Sequence, residues 1–194
     1  LKKLKKLKFT GYIQAQVQFA DSSGISSFAG GNFPTAVDKR FSVRRGRLKA
    51  TYSGNPNNLF VLQIDVTEKG VGIKDAYAKI SDPWLRAFHL TAGVFDSPFG
   101  YEISYSSSSR EAPERGRMSQ TIFSGERELG AMLTFQMPKD HPMKWLKIDA
   151  GLFNGSGGTA SDFDFQKDFI GRIRMDKTTT NEKIKYGLGA SFYS

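Results

Sequence analysis

Three cations spaced by two residues, Arg45-x-Arg47-x-Lys49, are the feature of this chain most suited to chemistry. In a β-strand that spacing puts all three side chains on one face, about 6.5–7 Å apart per step. Such a ladder lowers the cost of moving an anion along the strand, and rows of Arg or Lys are what anion-conducting pores use. A structural reading stands beside it: basic walls also pair with acidic loops and hold them in place. A second concentration, Arg110, Glu111, Glu114, Arg115 and Arg117, lies in a long segment without regular periodicity. Other chemistries find little support. There is no cysteine, and the two histidines, His89 and His141, fall in different segments, so no metal site is expected. Asp162, Asp164 and Asp168 lack the glycine and closing glutamate of a calcium loop, and the glycine-rich run from Asn154 to Gly158 lacks the Lys-Ser/Thr of a phosphate-binding loop. No nucleophile, base and acid form a set, so neither an enzyme nor a cofactor is expected.

The elements that must position these residues repeat with a period of two. In the first, Phe9, Gly11, Ile13, Ala15, Val17 and Phe19 alternate with Thr10, Tyr12, Gln14, Gln16 and Gln18. A helix would scatter those glutamines around its whole cylinder. Eight further segments alternate in the same way, at residues 41–52, 59–67, 73–81, 87–95, 128–136, 145–153, 168–175 and 184–193. Over all nine, the apolar face carries only two charges, Arg44 and Lys74. The polar face carries eight basic residues (Arg45, Arg47, Lys49, Lys79, Lys147, Arg172, Arg174 and Lys185) and five acidic ones (Asp65, Asp75, Glu128, Asp149 and Asp168). Lipid enforces such avoidance, since Arg or Lys facing mid-bilayer costs about 2–4 kcal/mol in a barrel. Arg44 and Lys74 both fall near the starts of descending strands, where their stems are expected to snorkel to headgroups at the outer rim.

The formal charge of +9 invites a nucleic-acid reading, but two-faced strands throughout argue against a nucleic-acid partner. No apolar run approaches the ~20 residues a membrane helix needs. Alternation alone fits both a soluble β-sandwich, for example one that binds carbohydrate, and a transmembrane barrel. Two features favour the barrel. Stretches such as Gln14-x-Gln16-x-Gln18 make a polar face with no place in a dry interior. The links also alternate in length, long at 20–40, 96–127 and 154–167 and short at 53–58, 82–86, 137–144 and 176–183, with 68–72 as the exception. This places the N-terminus, with residues 1–8 as a lead-in, on the periplasmic side. Aromatics near strand ends, including Trp84, Phe88, Phe135 and Trp145, suit an interfacial girdle. Nine strands is an odd number, whereas single-chain bacterial barrels have an even one. The expectation is therefore one all-β domain over 1–194, the N-terminal part of a larger antiparallel transmembrane β-barrel.

Several motifs occur in order: Lys8-Phe9-Thr10-Gly11-Tyr12-Ile13-Gln14-Ala15-Gln16, Phe41-Ser42-Val43-Arg44-Arg45-Gly46-Arg47-Leu48, Asp75-Ala76-Tyr77, Gly93-Val94-Phe95-Asp96-Ser97-Pro98-Phe99-Gly100, Glu114-Arg115, Arg127-Glu128-Leu129-Gly130 and Leu152-Phe153-Asn154-Gly155-Ser156-Gly157. Together they resemble the porins related to the phosphate-selective O and P type, in the form common among Bacteroidetes. The resemblance implies an outer-membrane barrel of about sixteen strands, often trimeric, that passes anions. Its implied partners are outer-membrane lipid and lipopolysaccharide, small anionic solutes, and further copies in a homotrimer or a larger envelope complex. It also implies that the third external loop, here 96–127, folds inward and narrows the pore, with Arg110, Arg115 and Arg117 toward the solute and Glu111 and Glu114 balancing them; a mobile surface loop is the alternative. A barrel acting only as a scaffold in an envelope complex is the remaining alternative.

Overall fold

The computed structural model describes residues 4–162 and 164–194, so the first three residues of the lead-in lie outside the described residues. A 3-10 turn at Leu4–Lys6 leads into nine strands: β1 (Leu7–Phe19), β2 (Lys39–Asn55), β3 (Asn58–Thr67), β4 (Gly70–Ser81), β5 (Phe88–Asp96), β6 (Arg127–Gln136), β7 (Leu146–Phe153), β8 (Asp168–Thr178) and β9 (Lys185–Tyr193). All are antiparallel and follow chain order in a single sheet. Each predicted segment is a strand. The one α-helix among the described residues is the short α1 (Arg117–Ile122), and no helix is long and apolar enough to cross a membrane. The long links 20–38, 97–126 and 154–167 gather at one end of the sheet. The turns 56–57, 82–87, 137–145 and 179–184 gather at the other. The link that broke the expected alternation is a two-residue turn, Glu68-Lys69, at the long-loop end.

One face of the sheet is bare. Its apolar side chains, among them Ile13 at 80% and Phe41 at 85% exposure, meet no second layer. In water this would be an extensive apolar patch; in hydrocarbon it is the satisfied state. The sandwich alternative fails on this observation, because a sandwich covers its apolar face with a second sheet. β1 and β9 are not paired with each other, so the sheet is open and does not close into a barrel.

The two charges on the apolar parity are not at a lipid rim. Gln14 pairs with Arg45 but Ala15 pairs with Val43, which leaves Arg44 as an extra residue in β2. Likewise Gln63 pairs with Asp75 but Ile64 pairs with Ile73, which leaves Lys74 extra in β4. Each is a β-bulge, where two residues oppose one and the strand's inside-outside phase shifts by a residue. Both cations consequently turn to the polar face. Arg44 Nε donates to Glu114 Oε1 at 2.6 Å, and Lys74 Nζ donates to Glu126 Oε2 at 2.8 Å. Beyond the bulges Phe41, Val71 and Ile73 take the lipid side. The snorkelling expectation is thus overturned: a half-buried carboxylate partner on the lumen side pairs with each cation.

Candidate functional site

On the polar face, link 97–126 lies across the strands. Its seat is apolar. Phe95, Phe153 and Ile170 are buried there, with Tyr77, Phe99, Phe123 and Met132 packed around them. Phe153 lies across Gly130 and Gly151, where a Cβ would come within 2.6 Å of the ring. Phe99 stacks on Phe123 at 4.8 Å between ring centres, and Phe123 meets Tyr193 of β9 edge-on at 5.9 Å. Burying each such ring is worth about 1.5–3 kcal/mol, so this seat is what first holds the link against the wall.

Polar ties then fix it on both sides. Toward β2, Glu114 accepts from Arg44 and from Arg45 Nη2 at 3.1 Å, while Arg45 Nη1 also donates to Gln14 and to the carbonyl of Pro113. Arg47 Nη1 donates to Ser107 Oγ at 2.6 Å. Toward β8, Arg172 donates to the carbonyl of Gly100 at 3.1 Å and to Ser104 Oγ at 2.9 Å. Toward β4, Glu126 pairs with Lys74, and it is also held by Arg115 and Arg127. Within the link, Glu102 accepts from the Gly116 amide and from Ser119 Oγ at 2.6 Å, which stops α1 from unravelling at its first turn.

The ladder residues divide by partner. Arg45 is almost fully buried, at 3% exposure, and engaged. Arg47 lies 3.7 Å from Asp65 and over the ring of Tyr12. Lys49 has neither an ion pair nor a side-chain hydrogen bond among the described residues. It lines, with Arg47, Tyr12, Ser107 and Asp75, a cavity of about 400 Å³ beneath the link. Across the sheet, Lys147 lies 3.3 Å from Asp149, and Arg172 donates to that same carboxylate at 2.8 Å. Arg174 is paired with Asp176 at 2.7 Å, and together with Lys185 it lines a second groove of about 620 Å³ beside β9. Lys79 is on the polar face near the short-turn end, without an ion pair among the described residues.

Of the five link residues, Glu114 meets the wall directly, while Arg115 pairs within the link with Glu126, which in turn holds Lys74 and Arg127 of the wall. Arg115 also donates to the carbonyls of Glu102 at 2.9 Å and Ile103 at 3.1 Å. Glu111 is exposed and takes a hydrogen bond from Tyr105, and Arg117 stands outside over Phe28 at 5.3 Å. Arg110 differs from all of these: its three guanidinium nitrogens are buried without a hydrogen-bond partner. Burial first, and then Arg47, press its pKa below the usual arginine range, while Glu114 opposes them. Burial and the charges of Arg110, Arg127, Arg47 and Arg45 push Arg115 down to about 10, still charged at neutral pH. Burial alone would raise the Glu114 carboxyl, but Arg44 and Arg45 outweigh it and the net shift is downward. The junction of link and wall thus gathers seven cations (Arg44, Arg45, Arg47, Lys74, Arg110, Arg115 and Arg127) around the carboxylates Asp65, Asp75, Glu102, Glu114 and Glu126. Arg44, Lys74 and Arg127 were not anticipated as members. The available signal was a charge breaking the apolar parity inside an otherwise regular strand, which marks a bulge as readily as a rim.

Among the described residues no three His, Asp or Glu side chains form a metal-holding group. Neither the curated proteins nor the solved structures gave a match. The family model of the phosphate-selective porins O and P matches residues 20–174, a span that runs from the first long link through most of β8 and includes both bulges and the inward link. A bare apolar face, a polar face crossed by a long link and this match agree, and the chain belongs to the phosphate-selective porin O and P family of the bacterial outer membrane.

Proposed function

We propose that the protein forms a water-filled pore for passive diffusion of small solutes, with a preference for anions of phosphate type. Its constriction lies between link 97–126 and the wall of β2. The observation that carries this reading is the excess of cations where link and wall meet, with Arg110 unpartnered among Arg45, Arg47 and Arg115. A buried guanidinium with no acceptor is costly, and crowded cations raise that cost. A passing anion relieves both. A polyanion such as phosphate offers several acceptor oxygens to the fork of an arginine. Lys49 continues the path along β2, and Lys79, Lys147, Arg174 and Lys185 line the wider walls as a diffuse attraction. The family is a channel family, and passive conduction requires no reaction chemistry from these residues.

The test is conductance in planar bilayers under a salt gradient, with chloride replaced in turn by phosphate and by a large organic anion. The expected reversal potential has the sign of anion preference. Replacing Arg45, Arg47 and Lys49 together by Glu should abolish or invert it. Cation selectivity in the unmodified protein would overturn the anion assignment while leaving the pore itself standing.

A further inference from the structure

The charge of this chain is distributed unevenly between the two ends of the sheet. The long links 20–38, 68–69, 97–126 and 154–167 hold five basic and nine acidic residues. The turns 56–57, 82–87, 137–145 and 179–184, with the 3-10 turn at Leu4–Lys6, hold six basic and three acidic ones. Both tryptophans of the chain, Trp84 and Trp145, are also at this basic end.

The turn 82–87 is built to display its tryptophan. Asp82 accepts hydrogen bonds from the amides of Trp84, Leu85, Arg86, Ala87 and Phe88, at 2.7–3.1 Å. The Phe88 amide foremost holds its carboxyl down to about 2, so it stays ionised as a cap. One of the three acidic groups at this end is therefore committed to the backbone. The capped turn keeps Trp84 at 88% exposure beside exposed Leu85 and Arg86. In the next turn Trp145 carries the Lys177 ammonium 4.9 Å above its ring, flanked by exposed Lys139 and Lys144. These groups lie at the same end of the sheet as the aromatic pairs Phe88 with Phe135, at 5.3 Å, and Tyr52 with Phe60, at 6.3 Å.

We infer that the short-turn end is a basic and aromatic collar that gathers anionic phospholipid headgroups in the adjoining leaflet. Tryptophan belongs at headgroup depth, with its ring in the apolar border and its N–H in the polar layer. Lysines at the same depth meet headgroup phosphate directly, and their attraction grows with the negative charge of the lipid. Continuity with the apolar face favours lipid over a soluble acidic partner, because the cations begin where the lipid-facing aromatics end. The inference rests on membrane insertion but not on pore selectivity.

Quenching of tryptophan fluorescence by brominated lipid reads the collar directly, and the unmodified full chain serves because both of its tryptophans report from this end. In mixed vesicles, brominated phosphatidylglycerol should quench roughly twofold more strongly than brominated phosphatidylcholine at equal mole fraction. High salt should erase the difference. Changing Lys139, Lys144 and Lys183 together to Gln should shrink it and leave conductance selectivity unchanged. Equal quenching by both lipids in the unmodified chain overturns the inference, as does binding to isolated peptidoglycan without headgroup preference, which reassigns the collar to the cell wall. Loss of quenching by every lipid would instead refute insertion, and so the membrane reading itself.

Discussion

Arg45 and Arg172 are the two most buried arginines of the strand walls, at 3% and 6% exposure, and each anchors one side of the same link. They differ in where their counter-charge comes from. Arg172 is neutralised by Asp149, a wall residue on the neighbouring strand at 1% exposure, fixed in turn by Thr134 Oγ1 at 2.7 Å. Arg45 is neutralised by Glu114, which belongs to the link. On the β8 side the charge is settled whether or not the link is in place. On the β2 side removing the link uncovers Arg44 and Arg45 together. One side is a scaffold; on the proposed reading of the pore, the other acts as a latch whose state sets how much positive charge faces a solute.

This contrast can be broken most severely on the scaffold side. Asp149→Ala leaves a buried arginine without its carboxylate and should cost about 3–5 kcal/mol, read as a lowered urea midpoint of the lipid- or detergent-folded chain. Removing the side chain of Phe153, the floor of the apolar seat, should cost a similar or slightly smaller amount, about 3–4 kcal/mol, and should make link 97–126 the first site of proteolysis. Glu114→Gln should be milder in stability, about 1–2 kcal/mol, because its carboxylate is partly solvent-exposed. Its larger effect should appear in bilayers as a stronger anion preference; an unchanged reversal potential would refute the latch. Lys74→Leu separates bulge from rim. On a lipid rim leucine would stabilise, whereas on the lumen side, facing Glu126, it should destabilise by about 1 kcal/mol.

The gentlest test is pH. Because the folded protein holds Glu114 below its ordinary value of 4.5, the latch contributes its full stability above that value. The contribution is lost as pH falls through the lowered folded value. Conductance recorded from neutral pH downward should therefore stay constant until below about 4.5, then shift toward larger, more anion-selective openings as the link detaches.

Much of this molecule is legible in the order of its residues. Nine strands, their two faces and the grouping of long links at one end all follow from a period of two, because lipid tolerates almost no charge on the side it covers. The basic ladder at Arg45, Arg47 and Lys49 is legible for the same reason, since spacing alone fixes which way alternate side chains turn. Arg44 and Lys74 escaped that logic. A bulge is one residue of excess between two strands, and neither strand alone carries the mark of it; only the pairing of Gln14 and Gln63 with residues across the sheet decides it. Arg110 and Glu114 escaped it too, because no periodicity says where thirty residues of link will lie. What the sequence determined by itself is which surface meets lipid, since that depends on local alternation. What only the tertiary structure decided is which cations are already paired with a carboxylate and which are not, since that depends on ion pairs between residues up to 70 positions apart.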